Sequence, residues 1–199
     1  MPRFILRASA LALAIAAQAR ASPPVSSAQV LDAIRVFEAN ASGSLTSAKP
    51  ADEANAAVAR ASNTILRYSL ESDSVVVDMG NDSVPWCDLK KGISDLPHSG
   101  ERGLLLAAYL AGSVKAQLQS GKQDPNPYPG WVAMLRVYRA VKMREGVTIP
   151  EVDSLLGRQM DGTLESYAAA AVQRSTDSLR RAYGPGGAPR QIETASSQP

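Results

Sequence analysis

The sequence has few of the residues that build metal centres and covalent crosslinks. Its 199 residues include one cysteine, Cys87, and one histidine, His98. A zinc site of the Cys/His type needs three or four such ligands, and an intramolecular disulfide needs two cysteines. The sequence therefore excludes both a self-contained Cys/His zinc site and an internal disulfide.

Loops that bind cofactors or metal ions are also missing. The segment Gly100-Glu101-Arg102-Gly103 opens a predicted helix but lacks the Gly-Lys-Ser/Thr ending of a phosphate-binding loop. We expect an ordinary helix start there, capped by Ser99. The acids and glycine of residues 78–83 stand in the wrong order for a calcium loop, which favours a simple Asx turn. We predict neither a cofactor nor a metal ion.

The first 21 residues have the pattern of a secretory signal peptide. Arg3 and Arg7 precede an apolar run from Ala8 to Ala17, and Ala19-Arg20-Ala21 is a small-x-small cleavage site. We predict cleavage near Ala21 and a periplasmic or secreted protein. The alternative is a buried or amphipathic N-terminal helix. A run of ten residues is too short to span a bilayer, which takes about 20 residues, so we predict no transmembrane span in the mature chain.

The charge balance argues against a nucleic-acid partner. The full chain carries 21 Lys and Arg against 19 Asp and Glu, a net charge of +2. Removal of Arg3, Arg7 and Arg20 with the signal peptide leaves 18 of the 21 basic residues against 19 acids, a net charge of −1. Proteins that bind nucleic acid through its phosphates need a clear positive excess. We therefore predict no nucleic-acid binding.

Apolar residues at helical spacing recur along the mature chain and indicate an all-α fold. The predicted helices begin near residues 27, 50, 101, 130, 149 and 163. Their uneven spacing disfavours a regular helical repeat. We predict one domain of five or six helices over residues 22–183, followed by a disordered tail at 184–199 that is rich in Gly, Pro, Ser and Gln. Whether the helices at 149–160 and 163–183 are continuous stays open, because Asp161-Gly162 can break or only kink the chain.

Two segments have the pattern of a capping box, in which a hydroxyl and a Gln or Glu three residues later satisfy each other's backbone N–H groups. These are Ser26 with Gln29, and Thr148 with Glu151. We expect each to begin a helix, and we expect Gly121 to end the helix that starts near residue 101.

Residues 74–86 differ from the rest of the domain. Val75, Val76 and Val77 are β-branched and follow a polar turn sequence, which favours an extended backbone. Pro85 disfavours a central strand after the turn at residues 80–82. We predict at most one short β-hairpin here, with a lone extended crossover packed on the helices as the alternative.

Cys87 and His98 are weak candidates for a catalytic pair. A neighbouring imidazole lowers the pKa of a thiol and activates it as a nucleophile. No flanking motif supports this pairing, and a spacing of eleven residues says nothing about contact. The simpler interpretation is that Cys87 packs beside Trp86 in the core and that His98 lies in a loop before a helix.

A candidate partner surface comprises the proline-rich loop at 122–131 and the helix after it. The loop carries Tyr128 and Trp131, and aromatic residues often anchor interfaces. Arg136, Arg139 and Lys142 follow at spacings of three and offer charge to an acidic partner or an anionic lipid surface. The alternatives are that Trp131 belongs to the core and that the three bases form a solvated helix face.

These patterns lead to one function hypothesis and two alternatives. We predict an exported, non-enzymatic helical protein of a bacterial-type cell envelope, acting as an interaction or structural module with another envelope protein as its partner. The first alternative is a small-ligand binding protein with a pocket between the helices at 104–118 and 131–144. The second is a hydrolase that uses Cys87 and His98.

Overall fold

Helices account for most of the chain that the structure describes. A computed structural model of the protein describes residues 23–41, 51–88 and 91–183. These residues contain six α-helices, one short 3-10 turn at Ile93–Asp95 and no β-strand, which confirms the predicted all-α class. The helices are α1 (Ser27–Ala41), α2 (Ala51–Glu71), α3 (Ser99–Ser120), α4 (Tyr128–Glu145), α5 (Pro150–Met160) and α6 (Leu164–Tyr183).

The capping prediction holds for α1 and fails for α5. Before α1, the N–H of Ser26 donates to Oε1 of Gln29 at 2.8 Å, and the N–H of Gln29 donates to Oγ of Ser26 at 3.3 Å. At α5 the N-cap residue is Ile149, and no side chain caps the helix. The reason is that Pro150 takes the first helical position, which puts the cap at Ile149, one residue after Thr148. Glu151 accepts a hydrogen bond at 3.4 Å from Arg102 of α3.

The predicted cap of α3 also needs correction. Ser99 is the first residue of the helix rather than its cap. The N-cap position belongs to His98, which has a left-handed backbone with φ of 58° and makes no side-chain capping bond. At the other end, Gly121 adopts φ of 67° and its N–H donates to the Gln117 carbonyl, as predicted for a closing glycine.

Helices α5 and α6 are separate, which answers the question that the sequence left open. Gly162 has φ of 71°, a conformation that favours glycine. The N–H of Thr163 donates back to the Arg158 carbonyl at 2.9 Å, so the reversal closes the end of α5. The turn at 161–163 therefore reverses the chain, and α6 contacts both α4 and α5.

Helix α3 is the centre of the fold, because it contacts α1, α2 and α4. It crosses α4 at two glycines. A Cβ atom on Gly112 would lie 2.6 Å from both Cβ of Ala133 and the carbonyl oxygen of Pro129, and one on Gly130 would overlap the Tyr109 ring. The absence of side chains at these two positions lets the two helices pack in close contact.

The segment between α2 and α3 is a lone extended crossover. Residues 75–79 are extended and have no partner strand among the described residues. Val75, Val84, Trp86 and Cys87 are buried in the core. Of the two alternatives for residues 74–86, the structure therefore shows the crossover and not the hairpin.

Three predictions concern membranes and chain ends. The predicted signal peptide at 1–21 and the predicted tail at 184–199 both lie outside the described residues. Among the helices that are described, none combines the length and the apolar character that crossing a bilayer requires.

Candidate functional site

One stripe of α3 fixes the crossover in place. Arg102, Tyr109 and Gln117 are separated by seven and eight residues, about two helical turns each, and so lie on the same side of the helix. Each donates a hydrogen bond to a backbone carbonyl of the crossover or of the loop that continues it. The crossover thus obtains from side chains the partners that a neighbouring strand would supply in a sheet.

Gln117 makes the most complete of these contacts. Its Nε2 donates to the Val76 carbonyl at 2.8 Å, and its Oε1 accepts the Val76 N–H at 2.9 Å. The same Oε1 accepts the N–H of Asp124 at 3.2 Å. The side chain is buried, and it joins the crossover to the loop after α3 through bonds that are partly buried.

Tyr109 and Arg102 hold the rest of the crossover. The Tyr109 hydroxyl donates to the Asp78 carbonyl at 2.7 Å, and burial raises the pKa of this phenol. The guanidinium of Arg102, also buried, donates to the carbonyls of Trp86 at 2.5 Å and Pro97 at 2.9 Å. Both side chains therefore stabilise the segment between α2 and α3 through buried side-chain groups.

Asp78 forms an Asx turn, as the sequence predicted. Its Oδ1 accepts the N–H of Gly80 at 2.7 Å, and its Oδ2 accepts the hydroxyl of Ser83 at 2.8 Å. In the part of the chain that the structure describes, no group of three or more His, Cys, Asp or Glu side chains is placed to hold a metal ion.

Trp131 belongs to the core, which removes it from the predicted partner surface. Its ring is fully buried, and its Nε1 donates to the Ser83 carbonyl at 2.7 Å. It also stacks against Tyr167 of α6 with 5.6 Å between ring centroids. Of the two interpretations that the sequence allowed, the structure shows the core residue. Tyr128 is half-buried and packs against the core with part of its ring.

The loop between α3 and α4 is ordered by its own side chains. Oδ1 of Asp124 accepts the N–H of Asn126 at 2.9 Å, and Oδ1 of Asn126 accepts the N–H of Tyr128 at 3.0 Å. Nε2 of Gln123 donates to the carbonyl of Asp73, in the turn that begins the crossover. These bonds add to the restriction that the prolines impose on the backbone.

Exposed apolar and acidic side chains occur in the two chain segments that meet at this junction. Leu70 is the penultimate residue of α2 and 74% of its surface is exposed. Val76 is 44% exposed although Gln117 holds its backbone. Asp73 and Asp124 are exposed, and neither forms an ion pair within the described residues. We call these four residues the loop surface. Sequence reasoning identified the loop but missed Leu70, Asp73 and Val76.

The three bases of α4 do not act together. Arg139 donates to Oε1 of Gln159 at 2.8 Å, and Lys142 donates to Oδ1 of Asp153 at 2.5 Å, so both engage α5. The bond to Asp153 raises the pKa of Lys142. Arg136 lies on another side of α4, where it lines a small cavity with residues of α1.

Cys87 and His98 have different environments. Cys87 is buried, and this burial raises the pKa of its thiol to about 12. His98 is exposed at the start of α3, and no hydrogen bond joins the two side chains in the described structure. A nucleophilic cysteine needs a lowered thiol pKa, so this geometry gives the pair no catalytic advantage.

The cavity near the predicted ligand pocket is much smaller than a groove elsewhere in the protein. Near the predicted pocket between 104–118 and 131–144, a cavity of about 30 Å³ lies where α1, α3 and α4 meet, which is about the volume of one water molecule. A larger groove of about 670 Å³ lies between α1 and α2, beside Pro23 and Pro24.

Comparisons of the chain with protein-family models, with curated proteins and with solved structures find no match. A function is therefore inferred from the geometry of the described residues.

Proposed function

We propose that this protein is an exported, non-enzymatic interaction module of a bacterial-type cell envelope, and that it binds another envelope protein through the loop surface. Export rests on the pattern of residues 1–21, with a positive start, a short apolar run and a small-x-small site. The observation that carries the binding role is a pair of exposed apolar side chains, Leu70 and Val76, in a chain segment that contacts an ordered loop.

Single exposed apolar residues are common on soluble proteins, whereas grouped ones mark binding sites. Val76 and Asp124 share one acceptor, Oε1 of Gln117, which places the crossover and the loop side by side. Leu70 stands three residues before Asp73, whose carbonyl the loop residue Gln123 contacts. The chain segment that carries both apolar side chains therefore meets the loop.

The ordered backbone of the loop surface also supports the proposal. A surface that is already ordered loses little conformational entropy when it binds. The backbone around Val76 is fixed by Gln117, and two Asx turns fix the loop that follows α3. An interface built on these residues has most of its shape before the partner arrives.

The negative charge of the loop surface indicates which side chains a partner would present. Asp73 lies between Leu70 and Val76 in the chain. Asp124 lies in the loop that Gln117 joins to the crossover, and both carboxylates are exposed. A complementary surface presents apolar side chains edged by lysine or arginine. We propose a partner protein of that kind, in place of the acidic partner or lipid surface suggested by the bases of α4.

Capture from native envelopes tests the binding role. The double variant Leu70→Ser with Val76→Thr should lose at least one protein that the wild type captures, and charge reversal at Asp73 and Asp124 should lose the same one. The control is Met143→Ser, because Met143 is 86% exposed and stands 15 residues, about 22 Å, along α4 from Tyr128. A captured set that is identical in all variants contradicts the proposal.

Sequencing the N-terminus of the exported protein tests the localisation separately. We expect the mature chain to begin at Ser22, after cleavage at Ala21. A chain that retains Met1 or begins at Pro2 contradicts export by this route.

A second function, small-ligand binding, is favoured by the groove between α1 and α2. Its volume of about 670 Å³ falls within the range of small-molecule sites. Ala57 lines this groove, so Ala57→Leu should fill it. A thermal-shift screen with envelope metabolites supports this function if a compound raises the melting temperature of the wild type and not that of the variant.

A further inference from the structure

Two arginines converge on one tyrosine ring where α5 reverses into α6. Cζ of Arg158, in the last turn of α5, lies 3.9 Å from the centroid of the Tyr167 ring. Cζ of Arg174, in α6, lies 5.2 Å from the same centroid. We propose that these two guanidinium groups bind the phosphate or carboxylate group of a small anionic ligand.

The fold fixes the positions of all three side chains. Gly162 and the bond from Thr163 to the Arg158 carbonyl set the reversal. Tyr167 and Arg174 are seven residues apart and so lie on one side of α6. Tyr167 in turn stacks on the buried Trp131, so the core orients the ring against which both arginines lie.

The positive charge at this ring exceeds the negative charge that faces it. Nε of Arg174 forms an ion pair with Oδ1 of Asp82 at 3.0 Å. Arg158 forms no ion pair within the described residues, and its buried Nε has no hydrogen-bond partner there. Asp161 and Glu165 stand nearby in sequence, but neither pairs with these arginines in that part of the chain. Of the two guanidinium groups, only that of Arg174 is thus paired with a carboxylate.

This arrangement suits an oxyanion because of guanidinium geometry. A planar guanidinium donates two parallel N–H bonds to a phosphate or carboxylate, which an ammonium group does not do. Contact with the Tyr167 ring holds the guanidinium of Arg158 in a fixed orientation. An anion that joins both arginines also relieves the repulsion between two like charges at one ring.

Nuclear magnetic resonance of the arginine side chains tests the site. The purified protein is titrated with inorganic phosphate and, separately, with acetate, against potassium chloride at equal ionic strength. We expect saturable shifts of the Nε–Hε signals of Arg158 and Arg174 with at least one oxyanion and none with chloride. Saturation with phosphate alone assigns the site to phosphate groups, and saturation with both includes carboxylates.

Variants separate this site from general surface charge. Arg158→Gln should raise the Kd for the oxyanion by about tenfold or more, and Arg158→Lys should raise it too, because the charge stays but the planar donor pair is lost. Arg35→Gln, at an exposed pair with Asp32 in α1, should leave it unchanged. Shifts that do not saturate, or an equal Kd in Arg158→Gln and Arg158→Lys and the wild type, overturn the proposal.

Discussion

The side-chain amide of Gln117 pairs with both backbone groups of Val76, donating to its carbonyl at 2.8 Å and accepting its N–H at 2.9 Å. This is the hydrogen-bonding pattern that a neighbouring strand offers, supplied here by one side chain of a helix. It explains how an extended segment without a partner strand stays ordered against helices.

Replacement of Gln117 by alanine should destabilise the protein. The change leaves the N–H and carbonyl of Val76 without their side-chain partner in a half-buried place, which costs about 0.5–1.5 kcal/mol of unfolding free energy for each lost bond. Urea denaturation measures this loss, and hydrogen exchange should show faster exchange at the Val76 and Asp124 amides. Gln173→Ala is the control, because that side chain is exposed on α6. Equal stability of the two variants contradicts the account.

Alanine at the two crossing glycines should also destabilise the fold. A Cβ on Gly112 would lie 2.6 Å from Ala133 and from the Pro129 carbonyl, so α3 and α4 must separate, at a cost of about 1–3 kcal/mol. Gly130→Ala should behave alike. Gly103, elsewhere in α3, has open space around it, and Gly103→Ala should stabilise by about 0.5–1 kcal/mol. Thermal unfolding that ranks these variants otherwise is inconsistent with a close helix crossing.

Tyr128→Ala should lower the melting temperature. Part of the Tyr128 ring packs against the core, and its removal exposes apolar surface at a cost of about 1 kcal/mol. Tyr128→Phe keeps this packing and should melt close to the wild type. An unchanged melting temperature for Tyr128→Ala means that the ring is available to a partner, as the sequence alone allowed.

Cys87 should react slowly with iodoacetamide in the folded protein. Burial raises the pKa of its thiol to about 12, so almost none of it is thiolate at neutral pH, and the thiolate is the reactive form. Labelling should become fast when urea unfolds the chain. The pKa of the thiol in the folded protein lies above its ordinary value near 9. The free energy of unfolding should therefore fall as pH rises from about 9 towards 12. The Cys87→Ala variant isolates this effect. Rapid labelling in the native state supports the hydrolase alternative instead.

Most helix positions could be predicted from the sequence, because the residues that begin and end a helix lie close to it in the chain. Ser26 with Gln29 opens α1, and Gly121 ends α3. The failure at Thr148 is local as well, since Pro150 is the first residue of α5 and puts the cap at Ile149.

The partner surface was harder to predict, because its contacts join residues that are far apart in the chain. Gln117 meets Val76 across 41 residues, and its burial follows from a contact that no helical period indicates. The separation of the bases of α4 could have been predicted from helix geometry. Six residues turn an α-helix by about 600°, which puts Arg136 and Lys142 about 120° apart around the helix axis. That rotation already separates them into two faces, one towards α1 and one towards α5.

Photo-crosslinking in the native envelope tests the central claim most directly. A photoreactive amino acid at position 76 places the probe within the loop surface, and the same amino acid at position 143 places it on a more exposed part of α4. We predict a crosslink to one protein from position 76, absent from position 143 and lost when Leu70→Ser is added. The same products from both positions, or none from position 76, would contradict the proposal that the loop surface binds a partner.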